Sequence, residues 1–352
     1  MPRKLNQFLM FSGIFLNILE IMNKIEDVCF GSGVFRLFLA SIVFISHSTN
    51  VNIGRAALPV FFFLSGHLIY IIYKKKYLNK NNPIINFYLS RILRIFPIFI
   101  LITILFFLLN YFLNLDHISE EKIRWLPNYI IIGFNFFNIE HALIRPAWSL
   151  EIELIFYIIL PFFYIIKNKE YNLYIFVFLF LFFLYELFFS KTEIYFGWFF
   201  FFWCGIVSCK SSFKIDKKVA LFFLFSFFLV IIITLFLDKD MNPMLGGSHP
   251  STFFLQYNKY FNLFISFLLI PFAIHGLNYK SNNNFDRFLG KMSYPLYLGH
   301  WITVIYISRF SDLNFKERLL SVLFPCALTY FACFIIIKYY DVFFENLRKK
   351  IN

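Results

Sequence analysis

Long apolar runs separated by short polar connections extend along most of the 352-residue chain. Ten of the runs are long enough to cross the roughly 30 Å hydrocarbon layer of a bilayer as helices. They lie near 33–50, 56–73, 95–115, 147–166, 171–189, 193–209, 218–237, 258–277, 293–311 and 317–340. Their apolar residues are continuous rather than alternating, which argues against a transmembrane β-barrel. The pattern predicts an all-α polytopic membrane protein with about ten transmembrane helices.

The connections between these runs differ in charge, and the difference predicts how the chain crosses the membrane. Alternate connections, together with the two termini, carry about two-thirds of the 33 Lys and Arg residues. Cytoplasmic loops are enriched in these residues, so we expect both termini in the cytoplasm. The same asymmetry accounts for the formal net charge of +13, and the sequence therefore indicates no nucleic-acid partner.

Residues 1–30 form an N-terminal extension in this prediction, ahead of a membrane domain at 31–350. Within the extension, residues 5–23 place large apolar side chains on one helical face and polar ones elsewhere. This favours an amphipathic helix lying on the inner leaflet, in contact with membrane lipids. The alternative is a further span, which would put the N-terminus outside if the later helices keep their orientation.

Composition agrees with the pattern of apolar runs. The chain is 60% hydrophobic and 15% charged, with a mean hydropathy of +0.69, whereas a soluble domain has about a quarter of its residues charged. The five cysteines show no spacing typical of metal ligands. We therefore expect no metal and no bound cofactor.

An arginine and a histidine stand at the two ends of one stretch in the first apolar run, RLFLASIVFISH over 36–47. A charge at membrane depth is costly unless it is paired, so such residues are functional candidates. Eleven residues make about three helical turns, which puts Arg36 and His47 on one face about 16 Å apart. We expect both to face one cavity at two depths. The alternative is an arginine that reaches one interface and an unrelated histidine near the other.

Two glutamates lie near the outer end of the fourth run, at the depth expected for His47. Glu151 and Glu153 are two residues apart, about 200° around a helix, so at most one of them can face His47. A carboxylate beside an imidazole fixes its tautomer and raises its basicity, as a general base requires. Alternatively, both glutamates pair with Arg145 near the water interface.

Arg91 and Arg94 are three residues apart at the inner end of the third run, on one helical face, with Lys74–Lys76 nearby. Adjacent guanidinium groups bind phosphate well. The alternative is ordinary enrichment of cations in cytoplasmic segments. Further side chains that could line a pocket are Trp148, Ser149, Ser293, Tyr294, Tyr297, His300 and His67, although a lone membrane histidine often serves helix packing instead.

Five of these strings occur in an order that resembles a known family. They are Arg36–x10–His47, LPVFFFLSGHLIY, FYLSRILRIFP, AWSLEIELIFYIILP and LGKMSYPLYLGHWITV. Together they resemble the acyltransferase-3 type of integral-membrane acyltransferases, which O-acetylate cell-surface polysaccharides. The resemblance covers about 31–350. His67 departs from the family pattern, in which an apolar or aromatic residue is usual, and Asn346 stands where a proline is common.

The resemblance implies roles for individual residues. It implies that His47, Glu153 and Arg36 are catalytic, that Arg91 and Arg94 bind the acyl-CoA, and that Glu153 matters rather than Glu151. It implies acetyl-CoA as the acyl donor and a cell-surface polysaccharide or lipid-linked glycan as the acceptor. It also implies a multi-pass protein of the bacterial inner membrane.

The sequence thus predicts an enzyme that transfers an acyl group, with acetyl as the expected one, from coenzyme A to a sugar hydroxyl. His47 would act as general base on the hydroxyl, or would carry the acyl group transiently. The alternative is a polytopic transporter of a glycan or other polar substrate, with the same polar residues lining its path. Transporters often contain inverted repeats, and the sequence has none.

Overall fold

The computed structural model describes residues 31–113, 125–135, 141–165, 169–189, 195–246, 251–279, 284–308 and 315–351. The predicted interfacial helix at 5–23 lies outside the described residues. The longer helices, numbered in chain order, are α1 (Ser32–Ser48), α2 (Ala57–Ile72), α3 (Pro83–Leu113), α4 (Trp148–Ile165), α5 (Lys169–Phe189), α6 (Phe199–Ser211), α7 (Lys217–Leu235), α8 (Thr252–Asn278), α9 (Asn284–Ser308), α10 (Phe315–Ile335) and α11 (Asp341–Ile351).

Each of the ten predicted apolar runs overlaps one helix, α1 to α10, and the all-α fold class is confirmed for the described residues. Within the part of the chain that the structure describes, seven helical stretches are long and apolar enough to cross a membrane. They are Gly54–Tyr77, Pro83–Phe112, Arg145–Tyr164, Glu170–Phe189, Lys217–Leu235, Thr252–Asn278 and Leu323–Ile351. The helices α1 and α6 are apolar but shorter, with 17 and 13 residues. The count of ten and the cytoplasmic termini stay predictions.

Two helix pairs make the most extensive contacts, α1 with α9 and α2 with α6. Both pairs approach closely because glycines stand at the crossings. A Cβ on Gly66 or Gly205 would collide with the backbone of the facing helix, and so would one on Gly33 or Gly290. Small residues at crossings let backbones approach in lipid, where the hydrophobic effect does not drive helix association.

Buried carboxylates hold the starts of two helices. Asp286 accepts a hydrogen bond from the backbone N–H of Val34, at 2.8 Å, in the first turn of α1. Glu186 accepts from the N–H groups of Tyr195 and Gly197, at 2.9 and 2.8 Å, just before α6. The first N–H groups of a helix have no intrahelical acceptor and carry partial positive charge, so an anion there is stabilising.

Large apolar side chains cover the outward faces of α5 and α7. Phe178, Phe222 and Phe225 are 65%, 65% and 66% exposed. Such surfaces would be unfavourable in water, whereas in a bilayer they contact lipid chains of similar polarity. Together with the seven long apolar helices, they identify a multi-pass membrane protein.

Candidate active site

Two neighbouring cavities are lined by most of the residues that the sequence singles out as candidates. The first, which we call the Arg36 cavity, has a volume of about 290 Å³ and lies between α1, α2, α3, α4 and α9. Its polar lining consists of Arg36, Ser65, Arg94, Ser149, Glu153, Tyr157, Ser293, Tyr294 and Tyr297. The second, the His47 cavity, has a volume of about 470 Å³. Its polar and aromatic lining consists of Ser46, His47, Asn52, Arg55, Arg145, Trp148, Tyr195, Asn258, Tyr297 and Trp301.

Arg36 lies where α1 and α9 approach most closely. Its Nε donates a hydrogen bond to the carbonyl oxygen of Ser32 one turn earlier, at 3.2 Å. A Cβ on Gly290 would lie 2.5 Å from Nη2, so the absence of a side chain at that position makes room for the guanidinium. Arg94 from α3 lines the same cavity, and two guanidinium groups therefore face one enclosed volume.

Glu153 is the carboxylate of the Arg36 cavity. It accepts a hydrogen bond from the Ser65 hydroxyl at 2.9 Å and another from the Tyr157 hydroxyl one helical turn later. Tyr294, on the facing helix α9, donates its hydroxyl to the carbonyl oxygen of Ile95 at 2.9 Å. These bonds fix the positions of side chains that line the cavity, and they place one negative charge opposite two positive ones.

Glu151 has a different environment from Glu153, although they are two residues apart. It is fully buried, and it accepts hydrogen bonds from the backbone N–H of Gly133 and from both the N–H and the side-chain amide of Asn135, the latter two at 2.7 Å. Ile131 in the same segment has φ of 67°, which is strained for a β-branched residue. Glu151 therefore holds a strained connection in place.

His47 contacts two residues of α9 in the second cavity. Its ring stacks on His300 with centroids 5.3 Å apart, and it meets the edge of Trp301 at 5.6 Å. His300 is fully buried, and its Nδ1 lies 3.1 Å from the carbonyl oxygen of Leu296. A carbonyl can only accept, so Nδ1 carries the proton. The His47 ring is thus backed by fixed aromatic rings and is exposed on its other side.

Two side chains separate the cavities, because Leu58 and Tyr297 line both of them. The Tyr297 hydroxyl lies 2.8 Å from the Ser149 hydroxyl and donates to the carbonyl oxygen of Pro146 at 3.3 Å. We call Leu58 and Tyr297 together the partition. A reaction between a molecule in one cavity and a molecule in the other would take place beside it.

The partition corrects two predictions about His47. Arg36 and His47 do not face one cavity, because each lines its own. Glu153 lines the Arg36 cavity and accepts from Ser65 and Tyr157 there, so these contacts do not support the expectation that it directly orients the imidazole. The physical reason is the helical face: Trp148 lines the His47 cavity, whereas Ser149 and Glu153, four residues apart and therefore on one face of α4, line the Arg36 cavity. Glu153 also lies about 7.5 Å beyond Trp148 along the helix axis.

The two arginines of the R-x-x-R string also have different environments. Arg94 lines the Arg36 cavity, whereas Arg91 is 5% exposed and lies between the rings of Phe87 and Tyr157, at 5.5 and 5.9 Å from their centroids. Its Nη2 donates to the Ser90 hydroxyl at 3.3 Å. The expectation that both arginines present themselves together to phosphate therefore needs correction: Arg94 lines the cavity, whereas Arg91 is buried against aromatic rings.

The remaining predicted pocket residues divide between the cavities and the helix interfaces. Ser149, Ser293, Tyr294 and Tyr297 line the Arg36 cavity, and Trp148 lines the His47 cavity. His300 lies behind His47 instead of lining either cavity. His67 is buried where α2 packs on α6, with its backbone close to Gly205, so its position is that of a packing residue.

Sequence reasoning missed Ser65 and Tyr157 as partners of Glu153, and Arg55 and Trp301 as lining residues. Tyr157 could have been found, because it lies four residues after Glu153 and therefore on the same helical face. Arg55 carried a weaker signal: it is a lone cation in a short connection that the charge asymmetry assigns to the outer side.

Comparison with known proteins gives one family. The model of an acyltransferase domain, Acyl_transf_3, matches residues 29–338, which is most of the chain. No curated protein and no solved structure matches the chain. The match includes both cavities and the partition between them. The chain therefore belongs to the acyltransferase-3 family of membrane proteins and is an acyltransferase.

Proposed function

We propose that the protein transfers an acetyl group from acetyl-CoA to a hydroxyl of a cell-surface glycan, in the inner membrane of a bacterium. The observation that carries the proposal is the pair of cavities that meet at the partition. Arg36 and Arg94 line one of them, and His47 lines the other. A two-substrate reaction needs separate sites whose reacting groups can approach each other.

The Arg36 cavity suits the donor. Guanidinium groups bind phosphate through paired, charge-assisted hydrogen bonds, and Arg94 lies on α3 at the end that the charge asymmetry assigns to the cytoplasm, where acetyl-CoA is made. Arg36 lies deeper between the helices, and in this proposal it would stabilise the negative oxygen that forms when a thioester carbonyl is attacked.

The His47 cavity suits the acceptor. His47 would take the proton from the acceptor hydroxyl, and the oxygen would attack the thioester carbon beside the partition. The carbon–sulfur bond then breaks, the acetyl group becomes an ester on the sugar, and coenzyme A leaves as the thiol after taking up a proton. A transient acetyl group on His47 would divide the same chemistry into two steps.

An assay of thiol release tests the reaction. Purified protein in vesicles, supplied with acetyl-CoA, should release free coenzyme A when de-O-acetylated surface glycan is added, and little without it. The proton NMR spectrum of the glycan should gain acetyl signals in parallel. A transporter would move one of these molecules without producing thiol, and that result would overturn the proposal.

A labelling experiment tests the orientation on which the proposal depends. In a variant without native cysteines, a cysteine at exposed Met241 should react with an impermeant maleimide added to intact cells. A cysteine at exposed Lys80 should react only after the membrane is opened. The reverse pattern would place the Arg36 cavity on the wrong side for cytoplasmic acetyl-CoA.

A further inference from the structure

The His47 cavity has a charge pattern that the transfer of acetyl to a neutral sugar does not require. Arg55, Arg145 and His47 line it, and no carboxylate is found among its described lining residues. A cleft lined by one sign of charge concentrates ligands of the opposite sign. We propose that the acceptor is an acidic sugar, whose carboxylate or phosphate is bound by Arg145 and Arg55. This inference rests on the proposed function and names its substrate class.

Both arginines are presented by short turns that are themselves fixed. Arg145 opens the 3-10 turn Arg145–Ala147, in which Pro146 and Ala147 are buried while the arginine is exposed. Arg55 is exposed in the equivalent turn before α2. Fixed backbones with exposed guanidinium groups are arranged to receive a ligand with little loss of conformational freedom.

The turn that carries Arg55 is held from a third helix. The buried N–H of Ala56 donates to the Asn262 side chain of α8 at 3.0 Å, and the Asn262 amide in turn donates to the carbonyl oxygen of Asn52 at 2.9 Å. The turns that carry the two arginines lead directly into α2 and α4, helices of 16 and 18 residues. Their N-terminal ends add further positive potential at the cavity.

Cations on this side of the protein oppose the usual charge asymmetry. In the proposed orientation the His47 cavity opens away from the cytoplasm, where connections are poor in Lys and Arg. A small adjoining cavity nevertheless adds Lys259 to Arg55 and Trp148. The Lys259 ammonium donates to the carbonyl oxygen of Leu187 at 2.5 Å, so it too is fixed. Arg55 lines both cavities, so a third cation lies next to the pair that lines the His47 cavity.

The remaining lining supplies hydrogen-bond donors and flat apolar surface. Trp148 and Trp301 are half-buried and expose part of their rings to the cavity. An indole ring presents a flat apolar face, which suits the C–H face of a sugar ring. The lining therefore combines two cations with two aromatic faces.

Binding to matched sugar pairs tests the inference. One pair is trigalacturonate and the same trisaccharide after carboxyl reduction, and the other is galactose 6-phosphate and galactose. Wild-type protein in detergent should bind one acidic member about tenfold more tightly than its neutral mate, the size expected for a charge-assisted contact. The pair that shows the preference identifies whether the cavity binds a carboxylate or a phosphate. Equal binding within both pairs would overturn the inference.

Variants assign the preference to the cavity. Arg145→Gln should remove most of the preference for the acidic sugar while leaving the KM for acetyl-CoA unchanged, and Arg145→Lys should keep part of it. Arg287→Gln, at an exposed arginine of α9 that contacts Asn284, is the matched control and should keep it all. If Arg145→Gln fails to accumulate, the salt dependence of binding to the wild-type protein tests the proposal instead. The preference for the acidic sugar should shrink at high salt, and a salt-independent preference would contradict the proposal.

Thiol release separates this inference from the proposed function. Equal rates of acetyl transfer to acidic and neutral acceptors would overturn the inference and leave the transferase reaction standing. Selective binding of the acidic sugar without release of coenzyme A would overturn the transferase reaction and leave the acidic ligand site.

Discussion

The Arg36 cavity and the His47 cavity are neighbours, but they are built differently. The polar groups of the first come from the interiors of packed helices and bond one another: Glu153 accepts from Ser65 and Tyr157, and Arg36 donates to a backbone carbonyl. The second is lined largely by helix ends and connecting turns, and its arginines are exposed. In the proposed reaction, a rigid helical interior would suit a donor that is always the same molecule. Helix ends and turns can change without disturbing the bundle, which suits an acceptor that differs between glycans.

Among the substitutions considered for the two cavities, removal of the imidazole should lower acetyl transfer the most. His47→Ala should lower acetyl transfer by about 100- to 10,000-fold, the usual effect of losing a positioned base. Binding of acetyl-CoA should be unchanged, because the Arg36 cavity is intact. In the wild type, transfer should fall as the pH is lowered, since an imidazole accepts a proton only in its neutral form. The measurement is radiolabelled acetyl transfer, with acetyl-CoA binding followed separately.

A substitution two positions away on the same helix is the control for this change. Ile45 is 51% exposed and lines neither cavity, so Ile45→Ala should leave transfer within a factor of about two of the wild type, as surface substitutions usually do. Wild-type rates in His47→Ala would remove the imidazole from the mechanism.

The two glutamates of α4 give the next largest effect and compare the Arg36 cavity with the bundle around it. Glu153→Gln removes the negative charge that accepts from Ser65 and Tyr157, and acetyl transfer should fall by about 10- to 100-fold, the range for losing charged hydrogen bonds. Protein yield and thermal stability should stay close to wild type, because the side chain is half-buried and its shape is kept.

Glu151→Gln should show the opposite result. Three donors from Gly133 and Asn135 converge on its two oxygens, and an amide offers one acceptor and one competing donor. We expect the free energy of unfolding to fall by about 1–3 kcal/mol, measured as faster thermal inactivation, with normal turnover per folded molecule. A turnover defect in Glu151→Gln at full stability would reverse the assignment of the two carboxylates.

The sequence located most of the fold because lipid imposes a simple pattern. Every predicted apolar run became a helix, but the bounds differ: the run at 95–115 belongs to α3, which already begins at Pro83, and the run at 293–311 belongs to α9, which begins at Asn284. Hydropathy finds the apolar part of a helix, whether that part contacts lipid or other helices. Helices continue beyond it, and their polar first turns carry no such signal.

The site was only partly predictable, because spacing fixes angles along one helix and not the contacts between helices. The spacing of Glu151 and Glu153 correctly placed them on different faces. It could not place Tyr297 between Glu153 and His47, because that depends on how α9 packs against α1 and α4. Arg91 and Arg94 share a face by spacing, yet Arg91 is buried between a ring of its own helix, Phe87, and a ring of α4, Tyr157. The catalytic roles of these residues stay predictions.

Arg91 and Arg94 give a third comparison between the Arg36 cavity and the bundle around it, with a smaller expected effect. Arg94→Lys keeps the charge but loses the planar fork, so the KM for acetyl-CoA should rise about tenfold with kcat little changed. Arg91→Lys makes the same chemical change at a buried position against Phe87 and Tyr157. It should lower yield and thermal stability and leave the KM near wild type. Equal effects of both variants on the KM would show that both arginines contact the donor.

The partition should give the smallest effect, because its role is shape more than charge. Tyr297→Phe keeps the ring between the cavities and removes the hydroxyl that bonds Ser149 and Pro146. One neutral hydrogen bond corresponds to a decrease of about threefold in transfer, and the ratio of thioester hydrolysis to transfer should stay constant. Tyr330→Phe is the matched control: it removes a hydroxyl that bonds Ser41 at 2.7 Å, away from both cavities, and should not change transfer.

Truncation of the same side chain shows whether the ring separates two reactants. Tyr297→Ala joins the cavities and admits water beside the thioester, so hydrolysis of acetyl-CoA without acceptor should rise while transfer falls. The ratio of the two rates, measured as thiol released against acetyl incorporated, reports the partition independently of how much protein is folded. A ratio that is the same in Tyr297→Ala and Tyr297→Phe would mean that the two cavities do not work as donor and acceptor sites on either side of this ring.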